Sequence, residues 1–451
     1  MSARPITGRS IAFDVLLRVE DGGAFASRAL DAALAQAGAL DPREAGLATE
    51  LTYGTLRRAL SLDAALAPHS TRPLAALDPA ARVLLRLGAY QLLSLRTPPH
   101  AAVGETVGLA RAVDHGRAAG YVNAVLRALQ RAGPPAPPPP LAVDPAGHLA
   151  AAESLPRWLA EEWVAWLGPE EALSLARAMN GPAPLAVRTT RVEELLRRAA
   201  AAGLVARPGR LSPDAVLLEG GSVARLERAA AGVPFQVQDE GAQLAVLAAA
   251  GHLRGRRARV LDACAAPGGK AFHLAELLGP GSEVVAIELH PRKADALRAE
   301  AVRRRLPVTV ICADASRDVP GLEPASFDAV LVDAPCAGLG TLRRHPELKL
   351  RRQAVDLPRL AALQRQILLA MARLARPGAP VTYAVCSLSR AEGPELVAGA
   401  LAEGLRRDPP SGLPAGLATA DGDLVTRPDR HGADGFYVAR LTRDEAPAGA
   451  R

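Results

Sequence analysis

The stretch VLDACAAPGGK, residues 260–270, constrains this chain more than any other. Residues 259–261 read as the end of a short buried strand, and Pro267, Gly268 and Gly269 forbid its ordinary continuation. Helical spacing then resumes over residues 271–278. A strand that feeds a helix through a glycine pair lets the backbone approach a ligand closely. About twenty residues on, where a dinucleotide-type fold places a ribose-binding acid, a second apolar run ends in Glu288. VTVICAD closes on Asp314, and FDAVLVDAPC closes on Asp333 and Cys336. Ligands of open α/β sheets sit at such carboxyl ends, so the pattern predicts a Rossmann-like sheet cradling a nucleoside cofactor. The spacing is not GxGxxG and no GxxxxGK[ST] occurs, which disfavours a pyrophosphate or nucleoside triphosphate. The competing reading is an ordinary tight turn.

Three motifs in order sharpen this. DACAAPGGK, VDAPC followed by GLGTLRRHPELK, and YAVCS together resemble the RNA cytosine-5 methyltransferases, which use S-adenosyl-L-methionine. With the N-terminal segment, the chain is similar to the bacterial 16S ribosomal RNA (cytosine-5) methyltransferase B family over nearly its whole length. The resemblance implies an all-α NusB-like domain, then a small α/β module, then a Rossmann-like α/β methyltransferase domain. The expected bounds are 1–132 for the helical RNA-binding domain, 133–148 for a proline-rich linker, 149–235 for the module and 236–445 for the catalytic domain.

The rest of the chain agrees in kind. Apolar residues Ile11, Val15, Leu16 and Val19 share one helical face, as do Val83, Leu84, Leu87, Tyr90 and Gln91. Asp41 before Pro42 and Asp78 before Pro79 read as helix starts. RTPPHAAVGETVGLA and YVNAVLRAL resemble the NusB-type domain, and the alternative is a bundle serving stability or protein contact. GPPAPPPP, residues 133–140, cannot continue a helix and marks a linker. Trp158, Trp163 and Trp166 are spaced as a packing face, with base stacking the rarer use. PLAVRTTR, GRLSPDAVLLEGG and PFQVQDEGAQLAVLAA read as strand-like, with Arg188 and Arg191 as candidate phosphate contacts or solvated edge residues. The tail beyond Arg443 reads as disordered.

Net charge of +7 and a pI near 9.7 favour a polyanionic partner, although nearly all the positive charge is arginine and lysine occurs only at 270, 293 and 349. Four cysteines, none in a CxxC pair, argue against a disulfide scaffold or a zinc site. Asp14 interrupts the first apolar run, and no run of about 18 apolar residues appears. A cytoplasmic monomer that binds RNA, no membrane and no metal is expected.

Cytosine C5 is a poor nucleophile, and a thiolate adding to C6 makes the ring electron-rich through a covalent intermediate. Cys336 and Cys386 each follow a predicted strand, and the residues alone do not say which attacks. The resemblance assigns attack to Cys386 in YAVCS and product release to Cys336. It also implies cofactor contacts from Cys264, Ala265, Ala266, Pro267, Gly268, Gly269 and Lys270, from Glu288 at the ribose, and from Asp314 near the adenine. Asp333 would serve both the cofactor and the cytosine edge, and Lys270 would anchor the cradle or balance charge. Cys264 and Cys312 are expected to be spectator thiols. LRRHPELKLRR, residues 342–352, reads as an RNA grip, otherwise as a solvated helix face. Val385, Glu288, Ala337 and the AEGPE run with Gly393 depart from the family's usual residues. The rival functions are the same reaction on transfer RNA and a noncatalytic RNA-binding assembly factor.

Overall fold

The computed structural model describes residues 6–443 except 39, 114–115 and 220–222. The expected disorder of the tail beyond Arg443 lies outside the described residues. Two compact units emerge, Met1–Gly181 with Leu342–Arg352, and Pro182–Thr341 with Gln353–Arg451.

The first unit is helical, and its helices begin where the sequence marks them. The Asp41 carboxylate accepts from Arg43 N at 2.8 Å and the Asp78 carboxylate from Ala80 N at 2.9 Å, each with proline in the first turn. These caps satisfy backbone donors that helix ends leave without partners. Ile11, Val15, Leu16 and Val19 are buried against Val83, Leu84 and Leu87 in one core. Residues 133–140 form no helix or strand, as eight residues rich in proline dictate. The units nevertheless divide later, because helices Pro145–Glu153, Arg157–Leu167 and Pro169–Met179 belong to the first. Trp163 is fully buried there, in keeping with a packing face.

LRRHPELKLRR is not a free cationic surface. It leaves the second unit after Thr341 and is embedded in the first. Arg343 and Lys349 are buried, and Lys349 Nζ donates to Asn180 Oδ1 at 2.6 Å and to the carbonyls of Arg57 and Glu153. Arg351 donates to the Val19 and Ala24 carbonyls. Lys349 and Arg351 serve these carbonyl and amide oxygens, which a count of charges along the sequence cannot register.

The second unit opens with a four-stranded antiparallel sheet of β1 (Leu185–Arg188), β2 (Val205–Pro208), β3 (Ala215–Glu219) and β4 (Gln236–Val237), ordered β2-β3-β1-β4. Here the strand-like reading of residues 234–249 is corrected. Only Gln236–Val237 is strand, and Glu240–Ala250 is a helix capped by Asp239, whose side chain accepts from Gly241 N. Its ten buried positions hide the helical period, since a helix enclosed on all sides is apolar all round. Arg188 is also corrected. It is 2% exposed, donates to Glu276 Oε2 at 2.5 Å and Gln236 Oε1 at 3.0 Å, and offers nothing to a phosphate. Arg191 stays exposed beside Glu194.

The main sheet comprises β5 (Arg259–Asp262), β6 (Glu283–Glu288), β7 (Val308–Cys312), β8 (Ala329–Asp333), β9 (Val381–Val385), β10 (Leu405–Arg407), β11 (Leu424–Thr426) and β12 (Phe436–Arg443). Its order is β10-β12-β9-β8-β5-β6-β7, with β11 on β12. Strands β9, β8, β5, β6 and β7 are mutually parallel, and β12 returns antiparallel against β9. The chain runs outward from β5 to β7, then recrosses to β8 on the far side of β5. The crevice between the carboxyl ends of β5 and β8 is therefore the topological switch point, where such sheets bind ligands. Among the described residues no helix is long and apolar enough to cross a membrane.

Candidate active site

Register brings the two cysteines together. In the β8–β9 pair Asp333 lies opposite Ala384, and Ala334 N donates to Ala384 O at 3.0 Å. Cys336 lies three residues past the end of β8 and Cys386 one past the end of β9, so both chains leave the sheet side by side. Gly340 N then donates to the Cys386 carbonyl at 3.0 Å, closing one turn over the other. The two Sγ atoms are 3.5 Å apart. The Cys386 neighbour, together with burial, pushes the Cys336 thiol well above the ordinary cysteine range.

Beside them, Lys270 Nζ donates to Asp333 Oδ2 at 2.7 Å and stands 5.4 Å from the centre of the Phe436 ring. Burial opposes charge on Lys270, but the Asp333 carboxylate overcomes it and holds the ammonium above the usual lysine range. Asp262, at the end of β5, is fully buried, and neither oxygen meets a well-formed hydrogen-bond donor among the described residues. Burial and the charge of Asp333 push its carboxyl up to about 7, with Lys270 and the Cys264 N–H only partly opposing them.

The glycine turn follows. Ala265 N donates to Ile287 O at 2.9 Å and Gly268 N to Ala265 O at 2.7 Å, tying the loop to β6 and folding it on itself. Gly268 has φ +107°, a region side chains avoid, and a Cβ there would lie 2.5 Å from the Phe272 ring. A Cβ on Gly269 would make ordinary contact with the side-chain amides of Gln236 at 3.6 Å and Gln238 at 3.7 Å, so a methyl group fits there without strain. The helix Gly269–Leu277 starts there.

At the end of β6, Glu288 accepts from His290 N at 2.8 Å, and two residues past β7, Asp314 accepts from Ser316 N at 2.9 Å and Ser316 Oγ at 2.7 Å. The Ser316 bonds hold the Asp314 carboxyl below its usual range. Burial first, then the charges of Asp262, Asp333, Glu288 and Asp314, push the Cys264 thiol far up. Four carboxylates thus converge on one loop, a field suited to a cationic ligand with ribose hydroxyls. Cys264 is inert in that field, and Cys312 sits exposed at the end of β7. Among the described residues no group of His, Cys, Asp and Glu is arranged to hold a metal.

Sequence reasoning missed Glu392, Gln364 and Asp262. Glu392 is fully buried and accepts from Ala337 N at 2.8 Å, Gln364 Nε2 at 2.9 Å and Ser387 Oγ at 2.5 Å. Its position six residues past Cys386 was a usable signal, hidden because AEGPE read only as a departure.

Known families match this chain in the same domain order. Residues 254–442 match the family described as 16S rRNA methyltransferase RsmB/F, residues 7–131 the NusB family, and residues 155–224 the RsmF/B-like ferredoxin-like domain. A Mycobacterium tuberculosis protein, named no more definitely than as a methyltransferase, is 40% identical over 98% of this chain and 97% of its own. Ribosomal RNA small subunit methyltransferase B of Vibrio cholerae is 36% identical over 96% of this chain and 97% of its own. The counterpart from Xanthomonas campestris is 36% identical over 98% of each. The crystal structure of PH0851 shares the fold, with a TM-score of 0.83 at 22% identity over 97% of this chain and 99% of that one. The expected fold class, an all-α NusB-like domain, a small α/β module and a Rossmann-like methyltransferase domain, stands. The chain belongs to the 16S rRNA methyltransferase RsmB/F family and is an RNA methyltransferase.

Proposed function

We propose that the chain methylates C5 of a cytosine in 16S ribosomal RNA, taking the methyl group from S-adenosyl-L-methionine, through a covalent bond between Cys386 Sγ and cytosine C6. The observation that carries this reading is the thiol pair at adjacent strand ends, 3.5 Å apart and beside the Lys270–Asp333 ion pair. S-adenosyl-L-methionine, when bound, supplies an electrophilic methyl group on a cationic sulfur. The buried Asp262 carboxyl without a well-formed partner and the carboxylates of Glu288, Asp314 and Asp333 fit that cation and its ribose. We assign the backbone of Cys264, Ala265, Ala266, Pro267 and Gly268 to the wall of the cradle.

Cys386 Sγ adds to C6, and the electrons of the C5–C6 double bond move onto the ring, which makes C5 nucleophilic. Once C5 carries the methyl group, its proton leaves to a base, the C5–C6 double bond re-forms and the Cys386–C6 bond breaks. The place of Cys386, one residue past β9 with its thiol 3.5 Å from that of Cys336, supports attack by Cys386 and a role for Cys336 in release. Lys270 engages Asp333 at Oδ2, and we assign Oδ1 to the exocyclic amine of cytosine. The base must leave its stack to reach these groups. The NusB-family match over residues 7–131 supports RNA contact by the helical domain.

The same chemistry on transfer RNA is the nearest rival, and the small subunit ribosomal RNA named for the relatives favours our reading. Incubation with tritiated S-adenosyl-L-methionine and protein-free 16S RNA, followed by nucleoside digestion, tests it. Label in 5-methylcytidine supports the proposal. Label in another nucleoside, label only in a parallel transfer RNA reaction, or no label refutes it.

A further inference from the structure

We propose that the buried carboxylate of Glu392 is a positioning residue that clamps the Cys336 turn to the Cys386 turn and so sets the distance between the two thiols. This rests on the reaction proposed above and adds a residue to it. Glu392 is fully buried and receives four hydrogen bonds. Oε1 accepts from Ala337 N at 2.8 Å and Gln364 Nε2 at 2.9 Å. Oε2 accepts from Ser387 Oγ at 2.5 Å and Ser389 Oγ at 3.2 Å. Ala337 immediately follows Cys336, and Ser387 immediately follows Cys386. One side chain therefore holds the neighbour of each thiol.

Its own support is layered. Gln364 also donates to the Pro335 carbonyl at 2.9 Å, on the other side of Cys336. The Tyr383 hydroxyl, on β9, lies 2.7 Å from the Glu392 carbonyl and 2.9 Å from Gln364 Oε1. Charge acts in the same direction, since the Glu392 carboxylate adds to the forces that keep Cys336 protonated. A buried network in which each polar atom is satisfied fixes its members rigidly.

Substitution separates positioning from mere support. In Glu392→Gln the side-chain oxygen still accepts from Ala337 and Gln364, and the amide donates to the two serine hydroxyls, which can accept. In Glu392→Ala both turns lose their tie. The assay uses 16S RNA transcribed with 5-fluorocytosine, where no C5 proton can leave and the Cys386 adduct accumulates as a denaturation-stable complex. The expected result is that Glu392→Ala forms adduct about 10²-fold more slowly, the scale of a misplacement of about 1 Å at a reacting group. S-adenosyl-L-methionine affinity, by calorimetry, stays at the parent's value, and Glu392→Gln recovers most of the rate. Adduct formation by Glu392→Ala at the parent's rate overturns the inference, as does a loss of rate matched by a loss of cofactor affinity. If Glu392→Ala does not fold, the double variant Ser387→Ala/Ser389→Ala decides, and the parent's rate there overturns the inference. A parent protein that forms no adduct overturns the underlying reaction instead.

Discussion

Gly268→Ala and Gly269→Ala form a matched pair whose outcomes the structure separates. At Gly268 a methyl group must occupy φ +107° and lie 2.5 Å from Phe272 Cε2 and 2.6 Å from Leu297 Cδ1. The backbone conformation alone costs a side chain about 1–2 kcal/mol, and crowding a packed core adds about 1–3 kcal/mol. Gly268→Ala is therefore destabilising by about 2–5 kcal/mol. At roughly 2–4 °C per kcal/mol for a domain of 150–250 residues, the catalytic unit should melt about 4–20 °C lower. At Gly269 the new methyl meets nothing within 3.5 Å, in a helical first turn where alanine outperforms glycine. Gly269→Ala should leave the melting temperature unchanged or slightly raised, since its methyl makes only ordinary contact with Gln236 and Gln238, while weakening S-adenosyl-L-methionine binding, because it adds bulk to the glycine turn proposed as the cradle. Differential scanning calorimetry and isothermal titration read the two effects separately. If Gly268→Ala melts with the parent, or Gly269→Ala loses stability and keeps its affinity, the account of the turn is wrong.

Other expectations follow from the buried charges. The Asp262 carboxyl is raised to about 7 from an ordinary 3.8, so the native state binds more protons than the unfolded chain between those values. Its favourable contribution is complete below about 4 and is lost as pH rises through about 7. Asp262→Asn should flatten that decline, gaining stability over the parent at pH 8 relative to pH 4.5 in urea titrations, and an unchanged pH slope would count against the assignment. Arg188→Met removes hydrogen bonds to Glu276 and Gln236 but leaves the partly exposed Glu276 beside Arg304, so it should cost about 1–3 kcal/mol, with RNA affinity unaffected in the surviving fold; a stable variant with weakened RNA binding would restore the phosphate reading. Lys349→Met strands three acceptors and should lower the stability of the helical unit by about 2–4 kcal/mol, measured by denaturant, without changing the salt dependence of RNA binding.

The fold was legible where local chemistry dictates structure. The Asp-Pro helix starts, the apolar face of Ile11 to Val19 and the strand ends at Glu288 and Asp333 are set by capping, periodicity and alternation, which a single sequence displays, while Asp314 lies two residues past the end of its strand. The neighbourhood of Cys336 and Cys386 was legible only as two motifs, since their approach depends on β8 pairing with β9 across fifty residues. Three readings failed for one reason. Arg188, the run 342–352 and residues 234–249 were judged on charge or hydropathy alone, and each is decided by tertiary partners far along the chain. Glu392 was passed over for the same reason, because its donors at Ala337 and Gln364 come from other elements.

The central claim, that Cys386 attacks and Cys336 releases, is most directly tested by trapping the covalent complex. Cys336→Ala, Cys386→Ala and the parent are each incubated with S-adenosyl-L-methionine and unmodified 16S RNA, denatured, digested with nuclease and protease, and analysed by mass spectrometry. The account predicts that Cys336→Ala accumulates a 5-methylcytosine adduct on the peptide containing Cys386, while Cys386→Ala gives neither adduct nor product. An adduct mapped to Cys336, or methylated RNA made by Cys386→Ala, would contradict it.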